Sequence, residues 1–283
     1  MPIHDDLGKR MKEFYEQVPK TRLVRRMPVA IRIDGKAFHS FTKGFVKPFD
    51  DVLIKSMQQT TKYLCENIQG CVLGYTQSDE ITLILVDYKT LDTSAWFDYE
   101  VQKVCSIAAS MATMAFDKAF KQAMIDWWNT TIDSLDITDA KDDPAFKEAD
   151  KLLTTYANAV NKGAMFDARC FNIPKEETTN LIYWRQLDAS RNSVQMVGQA
   201  NFSHRELHGK SCNMIQDMLM TRKGINWNDL PTHKKRGSCV IRKGAADGRL
   251  HWTIDIEIPI FNGEGREYID KLIRIDECPC KVV

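Results

Sequence analysis

The 283-residue sequence lacks several features that mark specialised classes of protein. No stretch approaches the roughly 20 consecutive apolar residues that a membrane-spanning helix needs, and Met1 to Lys20 contain no apolar core of a secretory leader. The eight cysteines include no CxxC pair, so neither a zinc ribbon nor a thioredoxin-type site is expected. We therefore expect a cytoplasmic protein with reduced thiols and no membrane partner.

A net charge of one sign is also missing, since 39 basic residues face 38 acidic ones. The charges are nevertheless unevenly distributed. Residues 131–150 hold seven acidic and two basic side chains, whereas residues 222–249 hold eight basic and two acidic ones. The basic region, with Lys234, Lys235 and Arg236 at its centre, has the local charge that binds a phosphate backbone. A solvated loop cluster explains the same charges equally well.

Hydrophobic spacing predicts the first two thirds of the fold. Val29, Ile31 and Ile33 alternate with other residues before Gly35, which is typical of a strand ending on Asp34. The spacing further predicts a helix from Asp50 or Asp51 to about Gln69, strands over 71–75 and 81–86, a helix over 95–120 and a strand over 165–173. The order βαββαβ is that of an α+β, ferredoxin-like unit, with two helices on one face of a four-stranded antiparallel sheet.

The last third predicts helical and β-hairpin additions to this unit. Helical stretches are expected over 184–199 and 208–221, and a hairpin over 238–258 with Asp247 and Gly248 at its turn. We place a boundary near Pro174, so that residues 1–174 form the core and residues 175–283 pack on it. His204 and His208 lie one helical turn apart, but no third zinc ligand accompanies them.

Two carboxylates are expected to converge in this topology. The end of the first strand and the tip of the central hairpin belong to neighbouring strands, so Asp34 and Asp79 lie at the same end of the sheet. Together with the carbonyl of Gly35 they form a set of hard oxygen ligands suited to Mg²⁺. Such a site can hold two metals and support phosphoryl transfer. Glu80 points to the other face of its strand, so it is either a further ligand or a residue behind the ligands.

The segment after Gly35 has the composition of a phosphate-binding turn. Successive backbone N–H groups after a glycine can surround a phosphate, and Lys36 or Lys47 supplies a positive charge. No Walker GxxxxGKS sequence is present. His39 stands alone here, which is more typical of a packed or surface residue than of a catalyst.

Five motifs, taken together, closely resemble the tRNA(His) guanylyltransferase family and its Thg1-like proteins. They occur in family order between residues 1 and 242. The motifs are RIDGKAFHSF from Arg32, KPFD from Lys47, GYTQSDE from Gly74, FDAR from Phe166 and YWRQLD from Tyr183.

The resemblance implies an enzyme that adds nucleotides in the 3′-to-5′ direction to RNA, on a palm like that of polymerases. Its catalytic residues are Asp34, Asp79 and Glu80, and its two Mg²⁺ ions bind Asp34, Asp79 and the carbonyl of Gly35. ATP and GTP are its substrates. The residues that match nucleotide-binding or activation positions are Lys36, Ala37, Phe38, His39, Lys47, Asp50 and Ser78. Those that match positions linked to tRNA or to 5′-end chemistry are Arg32, Lys103, Asn192 and Arg236.

One departure from the family pattern bears on the substrate. Eukaryotic members carry a His-Ile-Asn-Asn stretch after the WRQ motif, and here Ser190 stands in place of that histidine. The sequence thus resembles the bacterial Thg1-like type, for which template-dependent repair of 5′-truncated tRNA is expected. The alternative is a dedicated tRNA(His) guanylyltransferase that adds the extra 5′ G.

Other functions remain open from the sequence. A nucleotide cyclase or a 5′-to-3′ polymerase uses a similar two-carboxylate palm, and the basic region alone is compatible with a non-catalytic RNA-binding module. The expected partners are tRNA and nucleoside triphosphates. The resemblance also implies a homotetramer.

Overall fold

A computed structural model describes residues 6–134, 143–244 and 248–274. The strands are β1 (Val29–Gly35), β2 (Cys71–Gln77), β3 (Glu80–Leu85), β4 (Phe166–Asn172), β5 (Ser238–Gly244) and β6 (Leu250–Asp255). The helices are α1 (Asp6–Met11), α2 (Phe38–Phe41), α3 (Asp51–Asn67), α4 (Val101–Asp133), α5 (Pro144–Lys162), α6 (Lys175–Asn201), α7 (His204–Leu207), α8 (Cys212–Lys223), α9 (Thr232–Arg236) and α10 (Glu267–Ile273). None of these helices is long and apolar enough to cross a membrane.

One antiparallel sheet holds all six strands, in the order β4-β1-β3-β2-β5-β6. The chain is therefore a mixed α and β protein, as predicted. The predicted hairpin of the last third joins the same sheet, because β5 pairs with β2 through Gly74↔Val240. Of its predicted turn, Asp247 lies outside the described residues.

The two faces of the sheet are covered by different helices. On one face, α3 and α4 pack on alternate residues of β1 and β3, among them Ile31 and Leu83, which are fully buried. On the other face, Ile182 of α6 and Ile269 of α10 pack against Ala30 and its neighbours. A third, smaller core joins the second half of α6 to α8. Helix α6 thus packs on the sheet next to the strands that hold the predicted site.

Several element boundaries differ from the sequence prediction, and α4 and α8 begin at Val101 and Cys212 instead of near residues 95 and 208. The predicted five-residue connector between β2 and β3 is a two-residue turn, because Gln77 pairs with Glu80 and only Ser78 and Asp79 lie between. Helix α4 continues to Asp133 instead of ending near residue 120, and α6 begins at Lys175 instead of near residue 184.

Helix α5 was not predicted, because it begins inside the acidic segment. Asp143 caps it by accepting a hydrogen bond from Ala145 N at 2.8 Å, and Pro144 occupies its first turn. Its buried face contacts α4 through Tyr156, whose ring lies 5.3 Å from that of Trp127. The cap and the proline were the available signals for this helix.

Candidate functional site

Asp34 and Asp79 lie next to each other at one end of the sheet. Asp34 is the penultimate residue of β1, and Asp79 is in the turn between β2 and β3. The backbone joins the two positions, because Gly35 N donates a hydrogen bond to the carbonyl of Asp79 at 3.1 Å. The structure therefore brings together the two carboxylates that the sequence predicted to converge.

Negative charge is concentrated around Asp34. In the register of the sheet it stands opposite Glu80 on one side and Asp167 on the other. Burial, followed by the charges of Glu80 and Asp167, raises the pKa of Asp34. Burial also raises the pKa of Asp79, against the hydrogen bond from Ser78 Oγ at 3.0 Å, and the charge of Asp34 adds to this increase. The site is therefore electrostatically prepared to accept a cation.

Glu80 differs from these two acids because arginines saturate its carboxylate. Arg185 of α6 donates to Oε1 from Nε at 2.6 Å and to Oε2 from Nη2 at 2.8 Å. Arg32 of β1 donates to Oε2 at 2.9 Å. Glu80 and Arg185 are both buried. These three residues, called the Glu80 cluster below, tie α6 to β1 and β3 directly behind Asp34.

Arg185 and Trp184 belong to the YWRQLD motif of the sequence, but no role was predicted for them. The guanidinium of Arg185 also binds Asp188 Oδ2 at 2.9 Å, and it lies 4.4 Å from the centre of the Trp184 ring. Arg32 lies 5.5 Å from the same ring. What marks Arg185 is its burial against a carboxylate, and this burial cannot be recognised in the sequence before the fold is known.

A glycine is required where β1 leads into the predicted phosphate-binding turn. A Cβ atom at Gly35 would lie 2.2 Å from the ring of Phe38, which is packed against Phe116 and Phe166. Ala37 adopts the left-handed conformation, with φ of 54°. The turn is thus anchored by an aromatic ring placed directly beneath its first residue.

The groups predicted to hold phosphate face outwards from this turn. Among the described residues, none accepts a hydrogen bond from the backbone N–H of Ala37, Phe38 or His39. The side chains of Lys36, His39 and Lys47 are exposed, whereas that of Phe38 is buried. Phe38 therefore contributes its backbone and the anchoring of the turn, and the lysines are free to contact a ligand.

Asp50 has a different environment from the other predicted nucleotide-binding residues. It caps α3 by accepting from Leu53 N at 2.9 Å, as predicted for Asp50 or Asp51. It also accepts from Val46 N at 3.0 Å and from the hydroxyl of Tyr156 at 2.7 Å. With three donors on a buried carboxylate, Asp50 fixes the loop that carries Lys47.

A cleft opens between α3, the β2–β3 turn, α6 and α9, with a volume of about 90 Å³. We call it the α3–α6 cleft. Predicted site residues that line it are Asp50, Ser78, Asn192, Lys234 and Lys235. Ser78 adopts a positive φ of 51°, which few residues other than glycine do. Ser78 is therefore a strained turn residue, and it connects the lining of the α3–α6 cleft to Asp79, the next residue in the chain.

The predicted basic cluster is not a row of free cations. Lys235 is buried, and its ammonium group donates to the carbonyl of Asn228. Lys234 forms an ion pair with Asp51 at 2.6 Å. Arg236 is half-buried, and no described residue accepts a hydrogen bond from its guanidinium group. Lys235 is thus part of the protein interior, which the run of charges did not reveal.

Lys103 has its contacts away from Asp34 and Asp79. It is near the start of α4, with its ammonium group 4.7 Å from the centre of the Phe97 ring. Two residues further, Cys105 contacts Cys170, which pairs with Ile31, three residues before Asp34 in β1. No contact among the described residues joins Lys103 to Asp34 or Asp79.

Metal-binding clusters of three or more His, Cys, Asp or Glu side chains are absent from the described ranges. His204 and His208 stand with ring centres 6.1 Å apart, and no third ligand joins them among the residues that the structure covers. The cysteines with described positions are free thiols. Cys278 and Cys280 lie outside the described residues. The oxygen set of Asp34, Asp79 and Gly35 remains as the candidate metal site.

A family model described as "Thg1: tRNAHis guanylyltransferase" matches residues 8–174. The chain belongs to this family. The resemblance drawn from the motifs is confirmed, and so is the enzyme class, because the members of the tRNA(His) guanylyltransferase family are nucleotidyltransferases. The match contains Asp34, Asp79 and Glu80.

Solved structures of the family are similar over almost the whole chain. A bacterial tRNA(His) guanylyltransferase (Thg1)-like protein in complex with ATP is 40% identical, with a TM-score of 0.76, and the match covers 95% of this chain and 100% of that one. A complex with GTP is 36% identical, with a TM-score of 0.72, over 95% and 99% of the two chains. The tRNA(His) guanylyltransferase of Saccharomyces cerevisiae is 28% identical over 83% of this chain and 90% of its own length.

Removing Arg185 is expected to destabilise the protein. The Arg185→Met variant leaves the buried carboxylate of Glu80 with Arg32 alone, which we expect to lower the free energy of unfolding by about 3 kcal/mol. The double variant Glu80→Gln/Arg185→Met is expected to recover part of this loss. Urea denaturation measures both, with Lys121→Met, which breaks an exposed pair with Asp117, as the control. Equal losses for Arg185→Met and the control would contradict a structural role of the Glu80 cluster.

The raised pKa of Asp79 predicts a stability that depends on pH. Its carboxylate is disfavoured in the folded state, so this penalty is fully present above the folded pKa and disappears as the pH falls below the unfolded value. In chelator, Asp79→Asn is expected to be more stable than wild type at pH 7 by about 0.5–2 kcal/mol, with the gain fading towards pH 4.

Asp126→Asn is the matched control for this measurement. Hydrogen bonds from Gln122 and Lys55 lower the pKa of the exposed Asp126, so its removal is expected to bring no gain at pH 7. Thermal unfolding between pH 4 and pH 8 separates the two variants. A wild type more stable than Asp79→Asn at pH 7 would show that burial does not penalise the Asp79 carboxylate.

Proposed function

We propose that the chain adds nucleotides in the 3′-to-5′ direction to the 5′ end of tRNA, choosing each nucleotide by pairing with the opposite strand. The observation that carries the proposal is the convergence of Asp34 and Asp79 beside an exposed phosphate-binding turn and the α3–α6 cleft. Family membership supports the reaction class, and the similar bacterial proteins in complex with ATP and GTP support nucleoside triphosphate substrates.

A ferredoxin-like palm is the fold that we propose for the catalytic core. The strand order β4-β1-β3-β2, with α3 and α4 on one face, supports it. Residues 1–174 would form this palm and residues 175–283 the helical and hairpin region. The homotetramer implied by the resemblance stays a prediction.

The residues present fit two Mg²⁺ ions. Burial raises the pKa values of both Asp34 and Asp79, with the charges of Glu80 and Asp167 adding to it at Asp34 and the charge of Asp34 adding to it at Asp79; a divalent cation would relieve this, and the carbonyl of Gly35 adds a neutral oxygen ligand. Bound there, Mg²⁺ would stabilise charge that develops on the transferred phosphoryl group. Glu80 is not needed as a ligand, because Arg32 and Arg185 occupy its oxygens.

The remaining residues hold the reacting groups. The N–H groups of Ala37, Phe38 and His39 would bind the triphosphate, with Lys36 and Lys47 adding positive charge. In the reaction, an oxygen of the 5′-monophosphate first attacks the α-phosphorus of ATP or GTP and expels pyrophosphate, because an unactivated phosphate oxygen is a poor leaving group. The 3′-hydroxyl of the incoming nucleotide then attacks the 5′-phosphorus, loses its proton to solvent and expels AMP or GMP. The enzyme contributes chiefly position and charge.

RNA contacts outside this site are proposed for fewer residues than the sequence suggested. Asn192 and Lys234 line the α3–α6 cleft, and Arg236 follows the lining residue Lys235 in α9, so these three are retained. Arg32 is engaged in the Glu80 cluster, and Lys103 would contact RNA away from the reacting groups. Lys234 would have to exchange its ion pair with Asp51 for an RNA phosphate.

Template use is supported by the environment of Ser190. Its hydroxyl donates to the carbonyl of Gln186, one turn earlier in the same helix, at 3.0 Å, and Asn192, two residues after Ser190, lines the α3–α6 cleft. A hydroxyl satisfied within its helix adds no contact that would identify one particular tRNA. The 40% identity to a bacterial Thg1-like protein agrees with this view. The family description and the yeast relative favour the second candidate, a dedicated tRNA(His) guanylyltransferase.

Magnesium binding is expected to raise the stability of the folded protein. At a Mg²⁺ concentration about ten times its dissociation constant, the wild type gains about 1.4 kcal/mol in free energy of unfolding. Asp34→Asn and Asp79→Asn are expected to lose this gain, whereas Glu80→Gln keeps most of it. Urea denaturation with and without Mg²⁺ measures the gain. A loss in Glu80→Gln as large as in Asp79→Asn would make Glu80 a ligand.

Templated addition is tested with tRNAs that lack the 5′-terminal nucleotide. Two tRNAs with different anticodons, each with the four possible opposing bases, are incubated with each of the four NTPs. We expect addition of the complementary nucleotide irrespective of the anticodon, and a drop on the order of 100-fold for mismatches, because a poorly aligned 3′-hydroxyl reacts slowly.

Asp34→Asn is the inactive control for this assay. Addition of G alone, only to the histidine tRNA and regardless of the opposing base, would replace template use by dedicated guanylylation. Cyclic nucleotides or growth at the 3′ end would point to a cyclase or a conventional polymerase.

A further inference from the structure

An exposed tryptophan stands beside the Glu80 cluster. Trp184, on α6, has 50% of its surface exposed. The other large aromatic side chains exposed in the described ranges are Phe14 and Tyr15 in the N-terminal segment and Phe97 before α4. Trp184 is therefore the exposed aromatic ring that the structure places next to the predicted catalytic carboxylates.

Two arginines determine where the ring of Trp184 lies. The guanidinium groups of Arg185 and Arg32 lie 4.4 and 5.5 Å from its centre, and the same two groups hold Glu80. In the sheet, Glu80 stands opposite Asp34. A chain of direct contacts thus leads from Trp184 through Arg32 and Glu80 to Asp34. The ring is held in place before any ligand arrives, which lowers the entropic cost of binding one.

The exposed arginines on the neighbouring elements have acidic partners. Arg169, opposite Arg32 in the sheet, is paired with Asp167 at 3.1 Å, and Arg191 is paired with Asp188, which also binds Arg185, at 3.1 Å. The aromatic ring of Trp184 offers RNA an attraction that does not depend on phosphate. Nucleobases stack on exposed aromatic rings irrespective of their sequence.

We propose that Trp184 stacks on the base of the 5′-terminal nucleotide of the RNA substrate. The inference rests on the proposed function, in which an RNA end and a nucleotide must meet at Asp34 and Asp79. The α3–α6 cleft lies on the side of Ser78, and the open surface at Trp184, on the side of Arg32, suits the end of a long polymer. A second copy of the chain seated on Trp184 would close this approach to Asp34.

The test compares Trp184→Ala with Trp184→Phe, which keeps an aromatic ring. The probe is a hairpin RNA with a recessed 5′ end whose 5′-terminal nucleotide either carries its base or is abasic. We expect Trp184→Ala to weaken binding of the intact RNA by about 5- to 100-fold, Trp184→Phe to retain most of the affinity, and neither to affect the abasic RNA. The dependence of affinity on salt is expected to stay unchanged, because no phosphate contact is lost.

Leu187→Ala is the matched control, since Leu187 is a comparably exposed apolar residue one turn further along α6. It is expected to leave RNA binding unchanged. Equal losses on intact and abasic RNA, no loss in Trp184→Ala, or a smaller sedimenting species for Trp184→Ala with normal RNA binding would each overturn the proposal. The last of these results would make this surface an interface between copies of the chain.

Two readouts separate this inference from the proposed function. Base-dependent binding that requires Trp184, without any addition of nucleotide to the 5′ end, would refute the proposed function and support the stacking site. Normal addition by Trp184→Ala at subsaturating RNA would refute the stacking site and leave the proposed function standing.

Discussion

The ion pair between Glu80 and Arg185 holds together the parts of the site that come from distant segments of the chain. Both side chains are buried, so their charges are tolerated only because each satisfies the other. Arg32 completes the arrangement from the neighbouring strand. The ends of β1 and β3, which carry Asp34 and adjoin Asp79, are therefore fixed against α6. Within the described ranges, Asp34 and Asp79 form no ion pair, whereas the neighbouring Glu80 pairs with two arginines.

The pairing of Glu80 with Arg32 and Arg185 explains why the unfavourable proximity of Asp34 and Asp79 persists. Burial raises the pKa values of both Asp34 and Asp79, and neighbouring carboxylates add to it: Glu80 and Asp167 at Asp34, Asp34 and Glu80 at Asp79. Raised pKa values of this kind are typical of sites that bind a charged ligand. Here Asp34 and Asp79 cannot move apart unless the Glu80 cluster is broken. The stability that the Glu80 cluster supplies thus offsets the strain of the carboxylates beside it.

The sequence predicted the strands, the convergence of Asp34 and Asp79, and the capping of α3, because these follow from local spacing and strand order. Helix α5 was not predicted, because its polar first turn lies within an acidic run and its apolar face was therefore not recognised. The pairing of Glu80 with Arg185 joins residues 105 positions apart, which no local pattern encodes. The burial of Lys235 was equally hidden, because a run of positive charges says nothing about which ammonium group meets a backbone carbonyl.

The hydrogen bond from Tyr156 to Asp50 has a consequence for how this chain tolerates changes in length. Helix α5 is attached to the body of the protein through that bond and through its packing on α4. Its position is thus set by its contacts with Asp50 and with α4. Because lengthening the chain between two fixed elements costs little additional entropy, residues inserted between Asp133 and Pro144 would leave Asp50 and the loop bearing Lys47 in place.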